Sequence, residues 1–566
     1  HEGVQGYTRG IVKHIFLGDN LVLFMGTKTD KMLEFVVHYT GTDGKRYDYD
    51  VYSEGLNTIF LRGVKASEPV VLTRKGLLEE GNDVIPFPDV TLETNVVNMA
   101  GDFSGYLQER YGNVDVNRTN LELDYDLSSI EDILYFKDLK KLELGNILIH
   151  DVQFSNEGSK VENGVLYVNK EEICKIALED ENIASCEVFL ARPGESVRIT
   201  PVKDVIEPRV KVEGKGGIFP GWIAKVDTVG EGRTHVLKGA AVVTTGKIVG
   251  FQEGIIDMSG PGADYTPFSK TYNVVVKMEP VEGLKQHEHE YALRIAGFKI
   301  ACFLGELGRN VTPDEVKTYE FDNIVESAAK YPNLPRVAYV QMLQSQGLLH
   351  DTYVYGVDAK KTLTTIITPT EVMDGAIVSG NCVSSCDKNP TYVHMNNPVV
   401  TDLFEQHGKT LNFVGMIITN ENVYLADKER SSNWSAKLAK YLGCDGVIIS
   451  QEGFGNPDTD LIMNTKKIEA EGIKTVIITD EYAGRDGKSQ SLADADPSAD
   501  AVVTGGNANQ VIVLPPMETV YGHLEFVDTI AGGSANNIDA HGNITVEIQA
   551  ITGATNETGF NYLSAR

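Results

Sequence analysis

The stretch Ser379-Gly380-Asn381-Cys382-Val383-Ser384-Ser385-Cys386-Asp387 combines a flexible backbone with nucleophilic side chains. Glycine adopts backbone conformations that other residues avoid, and asparagine also tolerates them. In such a turn the thiol of Cys382 can attack the carbonyl carbon of Asn381 through a five-membered ring. Elimination from the resulting thioester leaves dehydroalanine at residue 382, and hydrolysis then gives a pyruvoyl ketone at a new N-terminus. The residue types are therefore those that backbone self-cleavage needs.

A ketone at this place would give the protein a covalent partner for amines. It could form a Schiff base with a substrate amine, the covalent catalysis that other enzymes draw from a bound cofactor. Two alternatives stay open on the residues alone. Gly-Asn-Cys is also a common turn, in which an isolated cysteine is a small buried hydrophobic residue. Ser385 is a rival source of the ketone, because other pyruvoyl enzymes cleave before serine.

The histidines offer general acids or bases but no metal site. His394 and His407 follow the stretch and could transfer protons, or could be ordinary hydrogen-bonded histidines. His287 and His289 lie at the start of a predicted helix, where residues two apart face different directions. Cys382 and Cys386 have no second ligand pair nearby. No metal is expected.

Two glycine-rich turns, at residues 453–456 and 505–507, follow predicted strands. The carboxyl ends of such strands are where α/β sheets bind ligands, although both turns lack the spacing of a dinucleotide fingerprint. Acidic and amide side chains in or beside these turns could bind a substrate, or could be solvated surface groups: Glu452, Asn456, Asp480, Glu481 and Asn507.

The elements that must position these residues alternate between strands and helices after about residue 142. The apolar pattern predicts the strands 272–278, 336–341, 412–419, 445–450, 474–479, 501–504 and 510–514, and the helices 286–307, 431–442 and 460–471. Residues 1–140 carry short strand-like runs, such as 20–25 and 32–39. We therefore predict an α/β fold of two domains with mostly parallel sheets, 141–381 and 382–566, preceded by a small β-rich domain, 1–140.

Composition excludes several classes of function. The chain has 566 residues, and 51 Lys and Arg against 80 Asp and Glu give a formal charge of -29, which repels nucleic acid and anionic membranes. Its apolar runs are far shorter than the ~20 residues that span a bilayer. Six scattered cysteines favour a reducing cytoplasm.

From about residue 142 to residue 566 the chain resembles the precursors of component B of clostridial amino-acid reductases, of the glycine reductase type. The matching phrases are Ala191-Arg-Pro-Gly-Glu-Ser-Val-Arg-Ile-Thr200, Thr234-His-Val-Leu-Lys-Gly-Ala-Ala-Val-Val-Thr-Thr-Gly246, Asn381-Cys-Val-Ser-Ser-Cys-Asp-Lys-Asn389, Gln451-Glu-Gly-Phe-Gly-Asn-Pro-Asp458 and Thr504-Gly-Gly-Asn-Ala-Asn-Gln510. Sarcosine, betaine and D-proline reductases are relatives of that family. Residues 1–140 lie outside the resemblance and could be an extension, a fusion or a separate polypeptide.

The resemblance implies cleavage between Asn381 and Cys382, with residue 382 becoming the pyruvoyl group that binds the amine of glycine. It implies a hetero-oligomer with a selenocysteine-containing component B subunit, the component A selenoprotein and component C, linked indirectly to thioredoxin. The products would be acetyl phosphate and ammonia.

Other functions remain as alternatives. The chain could serve sarcosine or betaine reduction, although a betaine nitrogen carries no proton and cannot form a Schiff base. It could also be a non-catalytic scaffold subunit of such a complex. A metal-dependent hydrolase is disfavoured because no ligand cluster is visible.

Overall fold

The computed structural model describes residues 140–250, 253–322, 324–346, 352–380, 389–453, 455–486, 488 and 494–553, with Lys45. For residue 140, residues 324–326 and the strands between residues 10 and 97, the backbone alone is described. The chain divides into two compact units, His1–Lys137 and Asp138–Arg566.

The first unit contains eight strands among its described residues. They are β1 (Gly10–Leu17), β2 (Asn20–Thr27), β3 (Leu33–Thr40), β4 (Arg46–Ser53), β5 (Leu56–Arg62), β6 (Val70–Arg74), β7 (Val90–Glu93) and β8 (Val96–Val97). They form two antiparallel sheets, with the orders β1-β2-β5 and β4-β3-β6-β7-β8.

The second unit mixes strands and helices. Its described strands are β9 (Lys140–Leu148), β10 (Asp151–Phe154), β11 (Lys160–Glu162), β12 (Val165–Val168), β13 (Ile183–Ala191), β14 (Val197–Ile206), β15 (Arg209–Lys211), β16 (Gly232–Lys238), β17 (Ala240–Thr245), β18 (Gly254–Asp257), β19 (Tyr272–Pro280), β20 (Glu315–Phe321), β21 (Arg336–Gln344), β22 (Tyr353–Val354), β23 (Val357–Asp358), β24 (Thr365–Ile367), β25 (Ile377–Val378), β26 (Asn412–Glu421), β27 (Gly446–Ser450), β28 (Lys474–Glu481), β29 (Val502–Asn507), β30 (Val511–Leu514), β31 (Thr519–Gly522) and β32 (Ile544–Glu547). Its described helices are α1 (Lys170–Ala177), α2 (Gln286–Glu306), α3 (Ile324–Lys330), α4 (Pro369–Met373), α5 (Thr391–Met395), α6 (Pro398–Gln406), α7 (Leu425–Tyr441), α8 (Asn456–Ala470) and α9 (Gln549–Thr552).

Before β21 the sheets of this unit are mixed, and the expectation of mostly parallel sheets is wrong there. One sheet has the order β13-β19-β17-β14-β18, with β31 pairing β14, and only β17–β19 and β14–β31 are parallel pairs. A second has the order β15-β16-β9-β20 and again mixes both directions. Parallel neighbours need long crossover connections, and the described residues before β21 supply only α1, α2 and the short α3 for them.

The later sheet is mostly parallel, as the alternation of strands and helices predicts. Its order is β24-β26-β21-β27-β28-β29, and β24 is the antiparallel edge. The next parallel strand along the chain, β26, lies on one side of β21, and the parallel strand after it, β27, lies on the other side. The order therefore reverses between β21 and β27, and the crevice beyond their carboxyl ends is where such sheets bind ligands. The predicted strand 510–514 forms as β30, but it pairs with β32 outside this sheet.

Alternate residues of β21 enter two cores. Ala338, Val340 and Met342 pack with apolar residues of α7 and α8. Tyr339 and Leu343 point to the opposite face and pack with residues of α4 and α6. Both faces of the central strand are therefore covered, as a parallel sheet requires.

The sheets take strands from both sides of residue 381. In the parallel sheet β21 and β24 precede that residue, and β26 to β29 follow it. In the mixed sheet β31 pairs with β14. The stretches 141–381 and 382–566 thus share two sheets.

Candidate functional site

The segment 381–388 contains the predicted cleavage residues Asn381 and Cys382 and the rival Ser385, and it lies outside the described residues. Its two flanks are described and meet each other. The backbone N–H of Ser379 donates a hydrogen bond to Oγ1 of Thr391 at 3.0 Å. The residues on the two sides of the segment are therefore joined to each other.

The flank that contains Thr391 is also bound to β14. Thr391 donates its backbone N–H to Oδ1 of Asp204 at 2.9 Å and its hydroxyl to Oδ2 at 2.7 Å. Asp204 is 2% exposed. Burial raises the pKa of Asp204 to about 7, although the hydrogen bonds from Thr391 and the charge of His394 act to lower it. A protonatable carboxyl group thus contacts Thr391, on one flank of the segment 381–388.

The carboxyl group of Glu452 makes four polar contacts. Its Oε1 lies 3.0 Å from Nε2 of His394 and accepts the backbone N–H of Asn389 at 2.9 Å. Its Oε2 accepts the hydroxyl of Thr352 at 2.6 Å and the backbone N–H of Gln344 at 2.8 Å. Burial acts to raise the pKa of Glu452, but the charge of His394 and these hydrogen bonds outweigh it, and the pKa is lowered. Glu452 is therefore held as a carboxylate.

Asp204, Ser379, Thr391, His394 and Glu452 form what we call the loop-base cluster. Glu452 and His394 are both 0% exposed. Glu452 comes two residues after β27, and the strand β21 ends at its contact Gln344. The cluster therefore lies at the carboxyl ends of β21 and β27, where the strand order reverses and ligands bind in related sheets.

Three buried side chains here carry polar atoms with no hydrogen-bond partner among the described residues. They are Oγ of Ser379, both ring nitrogens of His394, and both amide atoms of Gln341. Nε2 of His394 lies 3.0 Å from Glu452 but without the geometry of a hydrogen bond. Gln341 lies on the same face of β21 as Tyr339, whose hydroxyl accepts a weak hydrogen bond from Asn397 at 3.4 Å. Buried polar groups are nearly always paired. Each of these atoms can therefore pair with a further polar group.

The weaker candidates have structural contacts. Asn456 is exposed, and its Nδ2 donates to Oε1 of Gln346 at 2.5 Å. Asn507 accepts the N–H of Ala483 at 3.1 Å and donates to the carbonyl of Gly484 at 2.9 Å. Both amides connect neighbouring loops through hydrogen bonds at the carboxyl edge of the sheet. Neither belongs to the loop-base cluster.

The remaining acidic and histidine candidates lie on β28, on α2 and just after α6. Asp480 is buried and Glu481 half-buried at the end of β28. His407 accepts the backbone N–H of Phe413 at Nδ1 over 3.0 Å, and burial lowers its pKa. His289 is buried, and burial lowers its pKa to about 4, while His287 is exposed. Of the two histidines considered for proton transfer, His394 lies in the cluster and His407 does not.

Sequence reasoning missed Asp204, Ser379 and Thr391. One signal could have found Asp204, because it interrupts a strand, β14, that is buried along its whole length. Nothing local marks Ser379 or Thr391. In the part of the chain that the structure describes, no three His, Cys, Asp or Glu side chains are placed to hold a metal ion. No helix there has the length and apolar character to cross a membrane.

Comparison with known proteins identifies relatives of one kind. A family model described as glycine/sarcosine/betaine reductase component B subunits matches residues 140–566. The glycine reductase complex component B subunits alpha and beta of Acetoanaerobium sticklandii are 72% identical over 428 residues, which cover 75% of this chain and 99% of the relative. The protein of the same description from Peptoclostridium acidaminophilum is 72% identical over 426 residues, with 75% and 99% covered.

A third relative differs in its described substrate. The sarcosine reductase complex component B subunit alpha of Peptoclostridium acidaminophilum is 59% identical over 426 residues, which cover 75% of this chain and 99% of the relative. No solved structure shows significant similarity to the chain.

Proposed function

The chain belongs to the family of glycine/sarcosine/betaine reductase component B subunits, and on this basis we propose that it is a precursor of glycine reductase component B that cleaves itself between Asn381 and Cys382. The relatives' description assigns two subunits, alpha and beta, to one chain. The observation that supports the proposal is the hydrogen bond between the two flanks of the segment that contains residue 382. These flanks, Ser379 and Thr391, are joined above a buried polar cluster at the ligand-binding edge of the sheet.

The proposed cleavage has three steps: attack by the thiol, elimination and hydrolysis. The thiol of Cys382 adds to the carbonyl carbon of Asn381, and the C–N bond breaks to give a thioester and a free amine. Elimination removes the Cα proton of residue 382 and breaks its C–S bond, leaving a thiocarboxylate on Asn381. Water then replaces the nitrogen of residue 382, which leaves as ammonia, and hydrolyses the thiocarboxylate to a carboxylate and hydrogen sulfide.

The residues around the loop fit a pyruvoyl group at this position. Such a ketone supplies an electrophilic carbon that can hold a substrate amine as a Schiff base. Ser379 Oγ and His394 Nδ1 are buried and have no partner among the described residues. They can bind polar atoms of the group or its substrate, and His394 can also carry a proton. Burial of the cluster keeps bulk water away.

Glycine is the substrate that the comparisons favour. The chain is 72% identical to glycine reductase subunits and 59% identical to the sarcosine reductase subunit. As component B of a multi-component reductase, it would act in a hetero-oligomer with a selenocysteine-containing subunit, the component A selenoprotein and component C. We place this assembly in the cytoplasm, because the cysteines that the structure describes are all free thiols: Cys174, Cys186, Cys302 and Cys444.

Mass spectrometry of the protein co-expressed with its partners tests the cleavage. We expect two products, with the second beginning at residue 382 and lacking a free amine. Cys382→Ala should give one uncleaved chain without turnover. Ser385→Ala and Cys386→Ala are matched controls within the same loop and should be cleaved normally. An intact wild-type chain, or cleavage that depends on Ser385, would contradict the proposal.

Borohydride trapping tests the substrate and the Schiff base. Labelled glycine should become attached to the second product, and labelled betaine should not, because its nitrogen carries no proton. Preferential trapping of sarcosine would assign the chain to sarcosine reduction. If Cys382→Ala kept full turnover, the chain would be a scaffold and not the amine-binding subunit.

A further inference from the structure

Two cysteines that the proposed function does not use lie against each other at an edge of the mixed sheet. Cys174 is on α1, and Cys186 is on β13, the edge strand of the sheet β13-β19-β17-β14-β18. The thiol of Cys174 donates a hydrogen bond to the backbone carbonyl of Cys186 over 3.2 Å. Residues 12 positions apart are thus in direct contact through a sulfur atom.

Packing holds this contact in place and leaves it within reach of solvent. Ile173 and Ala177 of α1 are fully buried in the hydrophobic core that also contains Val188 of β13. The two cysteines lie at the margin of this core, where both are half-buried free thiols. The helix and the strand therefore keep the thiols together without closing them off from a small reagent.

The electrostatics make the two thiols unequal. The thiol of Cys186 hydrogen-bonds the sulfur of Cys174, and this bond outweighs burial and lowers the pKa of Cys174. The same bond, together with burial, raises the pKa of Cys186. Because the thiolate is the nucleophilic form of cysteine, Cys174 is the better attacking group. Cys186 is the neighbouring thiol that can react second.

We propose that Cys174 and Cys186 are a redox-active dithiol whose substrate is a small disulfide, with Cys174 as the attacking thiol and Cys186 as the resolving thiol. This site goes beyond the proposed function and does not depend on cleavage at residue 382. Both cysteines precede that residue, so the reaction takes place within one polypeptide whether or not the precursor is cut.

The reaction is a pair of thiol–disulfide exchanges. The thiolate of Cys174 attacks one sulfur of the disulfide, the S–S bond breaks, and the first small thiol leaves with the bonding pair. Cys186 then loses its proton and attacks Sγ of Cys174, which releases the second small thiol. The two protein thiols are oxidised to one disulfide, and the substrate disulfide is reduced to two thiols. The new bond joins α1 covalently to the edge strand β13.

Oxidation by cystamine, a small cationic disulfide, tests the proposal. A cation suits the site because two carboxylates, Glu171 and Glu187, act on Cys174 against one ammonium group, that of Lys170. The full chain is incubated with cystamine, its remaining thiols are alkylated, and its peptides are identified by mass spectrometry. The peptides of Cys174 and Cys186 should be joined by a disulfide. Cys302 should be recovered alkylated, because burial raises its pKa to about 12.

Three serine variants assign the roles of the two thiols. Cys186→Ser keeps a hydroxyl donor beside Cys174 and should stop at a mixed disulfide between Cys174 and cysteamine. Cys174→Ser should leave Cys186 reacting at least about 10-fold more slowly than Cys174 does in wild type, because burial still raises the pKa of Cys186. Cys302→Ser is the matched control on α2 and should form the disulfide like wild type.

The products from wild type decide the question, so the result does not depend on how well a variant folds. A separate mixed disulfide on each of Cys174 and Cys186, or unreacted thiols at both positions, would overturn the proposal. Faster reaction of Cys186 in Cys174→Ser than of Cys174 in Cys186→Ser would overturn the assignment of roles. A precursor that is never cleaved would contradict the proposed function and leave this result unchanged.

Discussion

The backbone N–H of Ser379 and the hydroxyl of Thr391 are joined by a hydrogen bond of 3.0 Å across the segment 381–388. The same hydroxyl donates to Asp204 at 2.7 Å. One side chain therefore connects the residues before the segment, the residues after it, and strand β14. This connection does not include the bond between Asn381 and Cys382, so it can persist after that bond is cut.

We expect the two cleavage products to remain associated. The parallel sheet takes β21 and β24 from the first product and β26 to β29 from the second, and β31 of the second pairs with β14 of the first. Separation would expose the backbone and apolar faces of these strands to water. An affinity tag on the first product should retain the second in buffer and release it in denaturing urea. Release in buffer alone would contradict this arrangement.

Thr391→Val should weaken the base of the loop. Valine has a similar shape but cannot accept from Ser379 or donate to Asp204, so two buried polar groups lose a partner. Each loss costs about 1–3 kcal/mol. Urea unfolding of the uncleaved Cys382→Ala chain measures the change in the free energy of unfolding.

Thr391→Ser is the control for this variant, because it keeps the hydroxyl and removes one methyl group. It should lose about 1 kcal/mol or less. Equal losses for the valine and serine variants would show that packing, and not the hydrogen bonds, holds the loop.

Asp204 should make stability depend on pH. Burial raises its pKa from the ordinary 3.8 to about 7, so between these values the folded chain binds a proton that the unfolded chain has lost. The contribution is fully present below pH 3.8 and is lost as pH rises to about 7, by at most about 4 kcal/mol.

Comparison with Asp204→Asn isolates this effect, since asparagine keeps an acceptor oxygen and does not titrate. As pH rises through this range, the free energy of unfolding of Asp204→Asn should increase relative to that of the protein with Asp204. Urea midpoints measured at several pH values provide the check. If the stability difference stays constant with pH, folding leaves the pKa of Asp204 at its ordinary value.

The parallel part of the fold could be predicted from the sequence because its strands are apolar runs between helices. The predictions 412–419, 445–450 and 474–479 are confirmed as β26, β27 and β28. The helix predicted at 460–471 begins earlier, at Asn456, with a proline in its first turn. Proline fits the first turn of a helix, so Pro457 is a sequence signal for this earlier start.

The mixed sheet and the site could not be predicted in the same way. An apolar strand such as β14 does not reveal whether its neighbours run parallel or antiparallel. The contact between Asp204 and Thr391 joins residues 187 positions apart, and that between Asn389 and Glu452 joins residues 63 apart. One sequence contains no signal for such pairs. Glu452 was a candidate because of its position after a strand, yet its burial and its contact with His394 required the fold.

A buried ion pair connects β14 to the residue that precedes β18. Lys203 of β14 and Glu253 are both fully buried, and Nζ of Lys203 contacts the carboxylate and also donates to the carbonyl of Lys247 at 2.9 Å. Burial raises the pKa of Glu253, while the charge of Lys203 opposes that rise. Lys203→Met should therefore lower the free energy of unfolding by about 3–5 kcal/mol, because it leaves a buried carboxyl group without its counter-charge.

The double variant Lys203→Met with Glu253→Gln is the matched control. Oε1 of Glu253 accepts the backbone N–H of Val249 at 2.7 Å and that of Gly250 at 3.1 Å, and glutamine can keep these bonds while removing the charge. The double variant should recover most of the stability that the single variant loses, as measured by urea unfolding in the Cys382→Ala background. If both variants lose the same amount, the aliphatic stem of Lys203, and not its charge, stabilises this part of the fold.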